Sequence, residues 1–156
     1  MQHTVTLDEN EIMLARTIAS LRTGNNRVAG TSHNVHIDGQ DNFRNDLLGI
    51  CGEIVFAKTY NIYLDLCFHI RSGGPDFKIS DKTVDVKTTH HRNGRLIVPL
   101  AKKDKQSDMY VLVTGDLPKF TIRGYATAEE VFSSLDDVGH GPCFVITQDK
   151  LHAFKK

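Results

Sequence analysis

Residues 74–89 read GPDFKISDKTVDVKTT, and the alternation inside this stretch governs how the remaining residues are understood. Two short runs, 77–80 and 83–88, flank Asp81-Lys82, the spacing of a β-hairpin. If 76–80 pairs with 83–87 around that dipeptide, 77 faces 86, 79 faces 84 and 76 faces 87. Opposed residues of an antiparallel pair point to the same side, and the side alternates along each strand. One face is then Phe77, Ile79, Val84 and Val86, all apolar. The other is Asp76, Lys78, Asp85 and Lys87, all charged. A slip of one residue mixes the two sets, so burial specifies which residues share a face.

Two carboxylates on one face repel, and each resists ionising where water is scarce. A divalent cation turns that conflict into a ligand set, and carboxylate oxygens suit Mg²⁺ or Mn²⁺. Such a site can activate water and offset charge on a phosphoryl group, with Lys87 adding a positive charge alongside. An Asp/Lys checkerboard also fits a salt-bridged surface hairpin, because exposed strand faces are routinely polar. A helix expected over residues 43–60 bears on the choice. In DLLGICGEIVFAKTY, Glu53 is the single carboxylate beyond the first turn, and Gly49 and Ala57 share its face at i−4 and i+4. Interior glycine costs about 1 kcal/mol against alanine, so Gly49 and Gly52 imply close approach to the sheet or to a ligand. A glutamate on such a packed face needs a partner. A metal held by Asp76 and Asp85 supplies one; a buried pair with Lys87 or a surface position is the alternative.

Around these residues the chain reads as one α/β domain spanning 1–156. Thr6-Leu-Asp-Glu9 has the form of a capping box opening a helix over 7–22, with Ile12, Ala15, Ile18, Ala19 and Leu21 inward. Residues 23–42 show no period and are expected to form a long loop. Ile62, Leu64, Leu66, Phe68 and Ile70 alternate as a strand would, and Gly73-Gly74-Pro75 ends it. Further strands are expected at 96–100, 109–114, 119–125 and 143–147, and Thr127-Ala-Glu-Glu130 caps a helix to about 135. The order α-α-β-β-β-β-β-α-β means a mixed β-sheet flanked by helices.

Composition excludes several classes. The 40% hydrophobic and 24% charged fractions are those of a soluble globular protein, and no apolar run is long enough to span a membrane. The opening MQHTVTLDENE is acidic and polar where a signal peptide is basic and then apolar, so none is expected, and three cysteines (51, 67 and 143) with no CxxC suit a reducing compartment. A cytoplasmic location is expected. The 19 basic and 19 acidic residues cancel, but residues 86–105 hold six Lys or Arg against one Asp, while 127–149 hold five acids and neither Lys nor Arg. His90, His91, Arg92, Arg95, Lys102, Lys103 and Lys105 could therefore grip phosphates flanking a site on the hairpin, in a sequence-independent way. Arg16, Arg22 and Arg27 are weaker candidates. His33-x-x-His36 lacks a third ligand at zinc spacing and reads as loop histidines. No GxxxxGK[ST] cradle occurs.

Glu53 on a helix, then Pro75-Asp76, then Asp85-Val86-Lys87 resembles the PD-(D/E)XK nuclease superfamily, over about residues 10–135. GxxGExxxAK in the second helix and DMYVLVTGD with FTIRGYATAEEV later resemble small phage-encoded members. The resemblance implies a restriction-endonuclease-like core and a Mg²⁺-dependent DNA endonuclease leaving 5′-phosphate and 3′-hydroxyl ends. It implies that Asp76 and Asp85 hold the metal with the Val86 carbonyl. Glu53 then helps hold the metal, its water or a second ion, and Lys87 orients the attacking water and stabilises developing charge. Asp85 stands where many relatives carry Glu. No recognition domain is present, and cutting both strands needs two sites, so a homodimer is expected. Two alternatives remain. HIRSGGPD (69–76) resembles the loops of Holliday-junction resolvases, and the fold could instead serve a non-catalytic nucleic-acid-binding protein.

Overall fold

The computed structural model describes residues 2–28, 42–66, 74–139 and 141–154. Strand β1 (His3–Thr6) is followed by helices α1 (Glu9–Val28) and α2 (Asn42–Tyr60). Then come β2 (Phe77–Ile79), β3 (Lys82–Thr89), β4 (Leu96–Pro99), β5 (Met109–Asp116) and β6 (Lys119–Thr127). Helix α3 (Ala128–Phe132), β7 (Leu135–Asp137) and β8 (Pro142–Ile146) complete the chain, with 3₁₀ turns at Leu100–Asp104 and Gln148–Lys150. The expected mixed α/β architecture is present. A five-stranded sheet in the order β1-β6-β5-β3-β2 is antiparallel throughout except between β3 and β5, and β4-β8-β7 form a second, antiparallel sheet.

The central strand explains the layering. Residues 109–116, MYVLVTGD, form an apolar run because β5 is covered on both sides. Val111 and Val113 join Val84, Val86, Phe120 and Ile122 beneath α1 and α2, whereas Tyr110 and Leu112 face the small sheet and α3. Helix α2 is buried over nearly its whole surface, as a helix between α1 and a sheet must be. On β6 a bulge beside Leu112–Val113 shifts the register by one, and Gly124 there takes φ +148°. Phe120 and Ile122 therefore face the helices and Ala126 the opposite side. Parallel strands need a crossover. The one joining β3 to β5 carries β4 and the 3₁₀ turn Leu100–Asp104 over the face opposite the helices.

Several expectations are corrected. The hairpin pairs Phe77 with Val84, Lys78 with Thr83 and Ile79 with Lys82, so the turn is Ser80-Asp81, with Ser80 at φ +53°. That is two residues from the expected register. A two-residue slip leaves the faces unchanged, so the apolar pattern that forbids a slip of one is silent about it; turn geometry makes the choice. Residues 3–6 form an edge strand, Thr6 pairing with Lys119, so the helix starts later. Asp8 and Glu11 form the reciprocal cap, Asp8 N–H donating to Glu11 at 2.8 Å and Glu11 N–H to Asp8 at 2.9 Å. Helix α1 runs on to Val28 where a loop was expected from 23, because Arg22 and Thr23 bond to Glu53 and Asp46 of α2. Residues 62–66 are not strand, and the remainder of that expected strand, with Cys67, lies outside the described residues. His33 and His36 lie outside them too. Helix α3 keeps its Thr127/Glu130 capping box but stops at Phe132, and residues 135–137 pair with β8. Cys51 and Cys143 are buried free thiols, and burial pushes the Cys51 thiol up to about 12. Among the described residues no helix is long and apolar enough to cross a membrane.

Candidate active site

Strand β3 divides its side chains as the alternation requires. Phe77, Val84 and Val86 are buried under α2. Asp85 and Lys87 leave the opposite side, the side of Tyr110 and Leu112 to which they are paired across β5. Asp85 is only 2% exposed, which removes the reading of this face as a solvated checkerboard; Lys78 alone stays fully out. Asp76 stands just before β2, its N–H donating to the Val84 carbonyl at 2.9 Å. Its carboxylate accepts the Val86 N–H at 2.8 Å, the donor that further strand pairing would have used. The shortness of β2 thus puts a carboxylate at the margin of β3, between the helix side and the crossover side.

Helix α2 brings Glu53 to that margin. Gly52 lies so close to β3 that a Cβ there would meet Thr88 Oγ1 at 1.9 Å, so this glycine permits the close approach. Gly49 has nothing within 4 Å, and its expected packing role is not found. Glu53 is buried and held by Arg22 through two parallel bonds of 3.0 and 3.2 Å. Arg22 was ranked among weaker phosphate contacts, yet it continues the inward stripe Ala15, Ile18, Ala19 at i+7, i+4 and i+3. That position was the available signal. An arginine on a buried stripe needs a carboxylate opposite it.

Burial, then the charges of Glu53 and Asp85, push the Asp76 carboxyl up to about 7, against the pull of the Val86 N–H and Lys87. Burial also works against the Lys87 ammonium, but the charge and hydrogen bond of Asp85 and the charge of Asp76 outweigh it, and its pKa is raised. Lys87 Nζ is 2.5 Å from Asp85 Oδ1. It therefore keeps its proton at neutral pH and acts as a charge and a donor.

Lys102 is the second correction. Expected on the phosphate-gripping surface, it reaches inward from the crossover's 3₁₀ turn, its Nζ 3.1 Å from Asp85 Oδ2. The contact is one of charge, since that buried oxygen accepts no hydrogen bond. Lys103, Lys105, Arg92, Arg95, His90 and His91 are exposed. The two histidine rings lie 3.8 Å apart, and Gln148 fixes their turn through the Arg92 and Gly94 carbonyls, both at 2.9 Å.

The chain matches no family model, no curated protein and no solved structure.

Three acids, Glu53, Asp76 and Asp85, face three bases, Arg22, Lys87 and Lys102. As the side chains stand, no three His, Cys, Asp or Glu among the described residues are arranged to hold a metal ion. The donor set nevertheless suits a hard divalent cation. Asp76 is destabilised as an anion by its carboxylate neighbours, and Asp85 Oδ2 is buried without a hydrogen bond. A cation there would compete with Lys102 for Asp85.

Proposed function

We propose that this chain is a divalent-cation-dependent deoxyribonuclease that hydrolyses internal phosphodiester bonds, leaving 5′-phosphate and 3′-hydroxyl ends, on a core of the restriction-endonuclease kind. The observation that carries the reading is the Asp76–Asp85–Lys87 cluster. Asp76, from the same short hairpin as Asp85, feels the charges of both Asp85 and Glu53, and Lys87 is clamped to Asp85. Asp76, Asp85 and the Val86 carbonyl would hold Mg²⁺ or Mn²⁺, with Glu53 on the ion, its water or a second ion. When bound, the ion lowers the pKa of a water and neutralises charge on the phosphoryl oxygens. Lys87, fully protonated and fixed by Asp85, orients the attacking water and stabilises charge growing on the phosphate. Arg22 holds the Glu53 carboxylate in place; its role is positioning. Lys103, Lys105, Arg92, Arg95, His90 and His91 remain candidates for phosphate contact outside the chemistry. A homodimer supplies the second site for a double-strand cut.

Incubation with supercoiled, linear, single-stranded and four-way-junction DNA, in Mg²⁺ or EDTA, tests the proposal, with Asp85→Asn checked for folding by circular dichroism. Cleavage that needs Mg²⁺ and Asp85 supports it, and preference for the junction selects a resolvase. One observation favours a non-catalytic DNA-binding module, namely that Lys87 and Lys102 already lie against the two carboxylate oxygens of Asp85. DNA binding with neither cleavage nor calorimetric Mg²⁺ binding would select that reading.

A further inference from the structure

Beside Asp76, away from Lys87 and Lys102, a surface cleft of about 400 Å³ opens between the segment after α2 and the start of β2. Its size falls within the range of small-molecule sites. Ile62 and Phe77 give it apolar walls, Tyr63 stands at its rim, and Asp65, Asp76 and Lys78 complete it. Tyr63 is 81% exposed and makes no ring contact among the described residues. A lone exposed aromatic is ordinary. One at the rim of a cleft that shares a wall with a carboxylate of the candidate active site is a stacking platform continuous with that site.

We propose that this cleft receives one unpaired nucleobase of the DNA strand, stacked on the Tyr63 ring, and this rests on the nuclease reading above. The lining favours a base over a phosphate. An uncharged heterocycle finds apolar walls in Ile62 and Phe77 and a ring to lie on in Tyr63, none of which serves a phosphate, and the Asp65 carboxylate can accept from its exocyclic amino group. Lys78, the one cation among the described lining residues, is exposed on the outer strand, where it can meet the phosphate linking that base to its neighbour. A base inside duplex DNA cannot enter without leaving its stack, so the cleft selects strands with an unpaired nucleotide next to the cut: single strands, flaps and branches.

The chain contains no tryptophan, so Tyr63→Trp installs a single reporter. It is titrated in Ca²⁺ with an eight-nucleotide single strand and with a blunt duplex of the same length, and Tyr63→Ala is measured by fluorescence anisotropy with the same DNAs. Saturable quenching of the indole by the single strand but not the duplex is expected. Tyr63→Ala should weaken single-strand binding by about 5- to 100-fold, the worth of one base–aromatic stack, with melting temperature and duplex binding unchanged. Single-strand binding without quenching and undiminished in Tyr63→Ala overturns the proposal, as does equal quenching by the blunt duplex. Absence of binding to either DNA overturns it together with the nuclease reading. Cleavage assays separate the two ideas: quenching without Mg²⁺-dependent cutting sinks the nuclease and leaves the base site standing. Cutting by Tyr63→Ala at wild-type rates on every substrate, with no quenching in Tyr63→Trp, does the reverse.

Discussion

Gly49→Ala and Gly52→Ala lie one helical turn apart on α2 and should shift stability in opposite directions. Both gain the helix propensity of alanine, about 1 kcal/mol. At Gly49 a Cβ meets nothing within 4 Å, so that gain should survive as roughly 0.5–1 kcal/mol of stabilisation. At Gly52 the same atom would sit 1.9 Å from Thr88 Oγ1, 3.1 Å from its Cβ and 3.3 Å from its Cγ2. Overpacking of this kind costs about 1–3 kcal/mol, leaving a net loss of up to about 2 kcal/mol after propensity is counted. Rotating Thr88 relieves the hydroxyl contact but not the one to Cβ. Thr88 Oγ1 is buried without a hydrogen-bond partner, so Thr88→Ala should itself cost little and should absorb most of the Gly52→Ala penalty. Urea denaturation of the four proteins in this double-mutant cycle should give a coupling of about 1–2 kcal/mol. Because Gly52 precedes Glu53 and Thr88 follows Lys87, the strained variant should also lose more nuclease activity than folded protein, and the double variant should regain it. A Gly52→Ala protein as stable as wild type, or equally destabilised with and without the Thr88 side chain, would refute the claim that this contact sets the distance from α2 to β3.

Lys87→Ala should slow single-turnover cleavage at saturating DNA by on the order of 10²–10³-fold with little change in affinity. Replacing exposed Lys103 and Lys105 should instead weaken binding and flatten its log–log salt dependence by roughly one unit per contact; a wild-type rate in saturated Lys87→Ala removes its chemical role. Asp76 carries a raised pKa, so the folded state keeps a proton that the unfolded chain releases above about pH 4. Stability from this group is present in acid and declines as pH rises towards 7. In EDTA, Asp76→Asn should therefore gain on wild type across pH 4–7, by up to about 4 kcal/mol for three pKa units; a constant difference in thermal melts would contradict this. Arg22→Met takes both guanidinium hydrogen bonds from the buried Glu53 carboxylate and should cost roughly 3–5 kcal/mol, largely restored by adding Glu53→Gln. Chemical denaturation that finds Arg22→Met neutral would mean the pair is not desolvated.

Alternation along 77–79 and 84–88 was enough to separate the apolar from the charged side of the hairpin. Side-chain direction in a strand follows from backbone stereochemistry alone, and only one of the two faces can be buried at low cost. Helix α2, the β5 and β6 strands and the Thr127 cap were legible for the same reason, each carrying its period or cap within a few residues. The exact hairpin register was not, because a slip of two preserves every face and the turn, not the pattern, selects Ser80-Asp81. Residues 3–6 form a strand only because β6 offers an edge, and residues 23–28 stay helical while Arg22 and Thr23 find partners on α2. The site divides in the same way. Asp76, Asp85 and Lys87 are neighbours through local pairing, and so could be read from 12 consecutive residues. Arg22 and Lys102 arrive from a helix 31 residues before Glu53 and from a crossover; the helical period marks Arg22 as inward, but nothing local names the carboxylate that either base meets. Their pairing is fixed by which surfaces pack together, and packing is a property of the assembled layers.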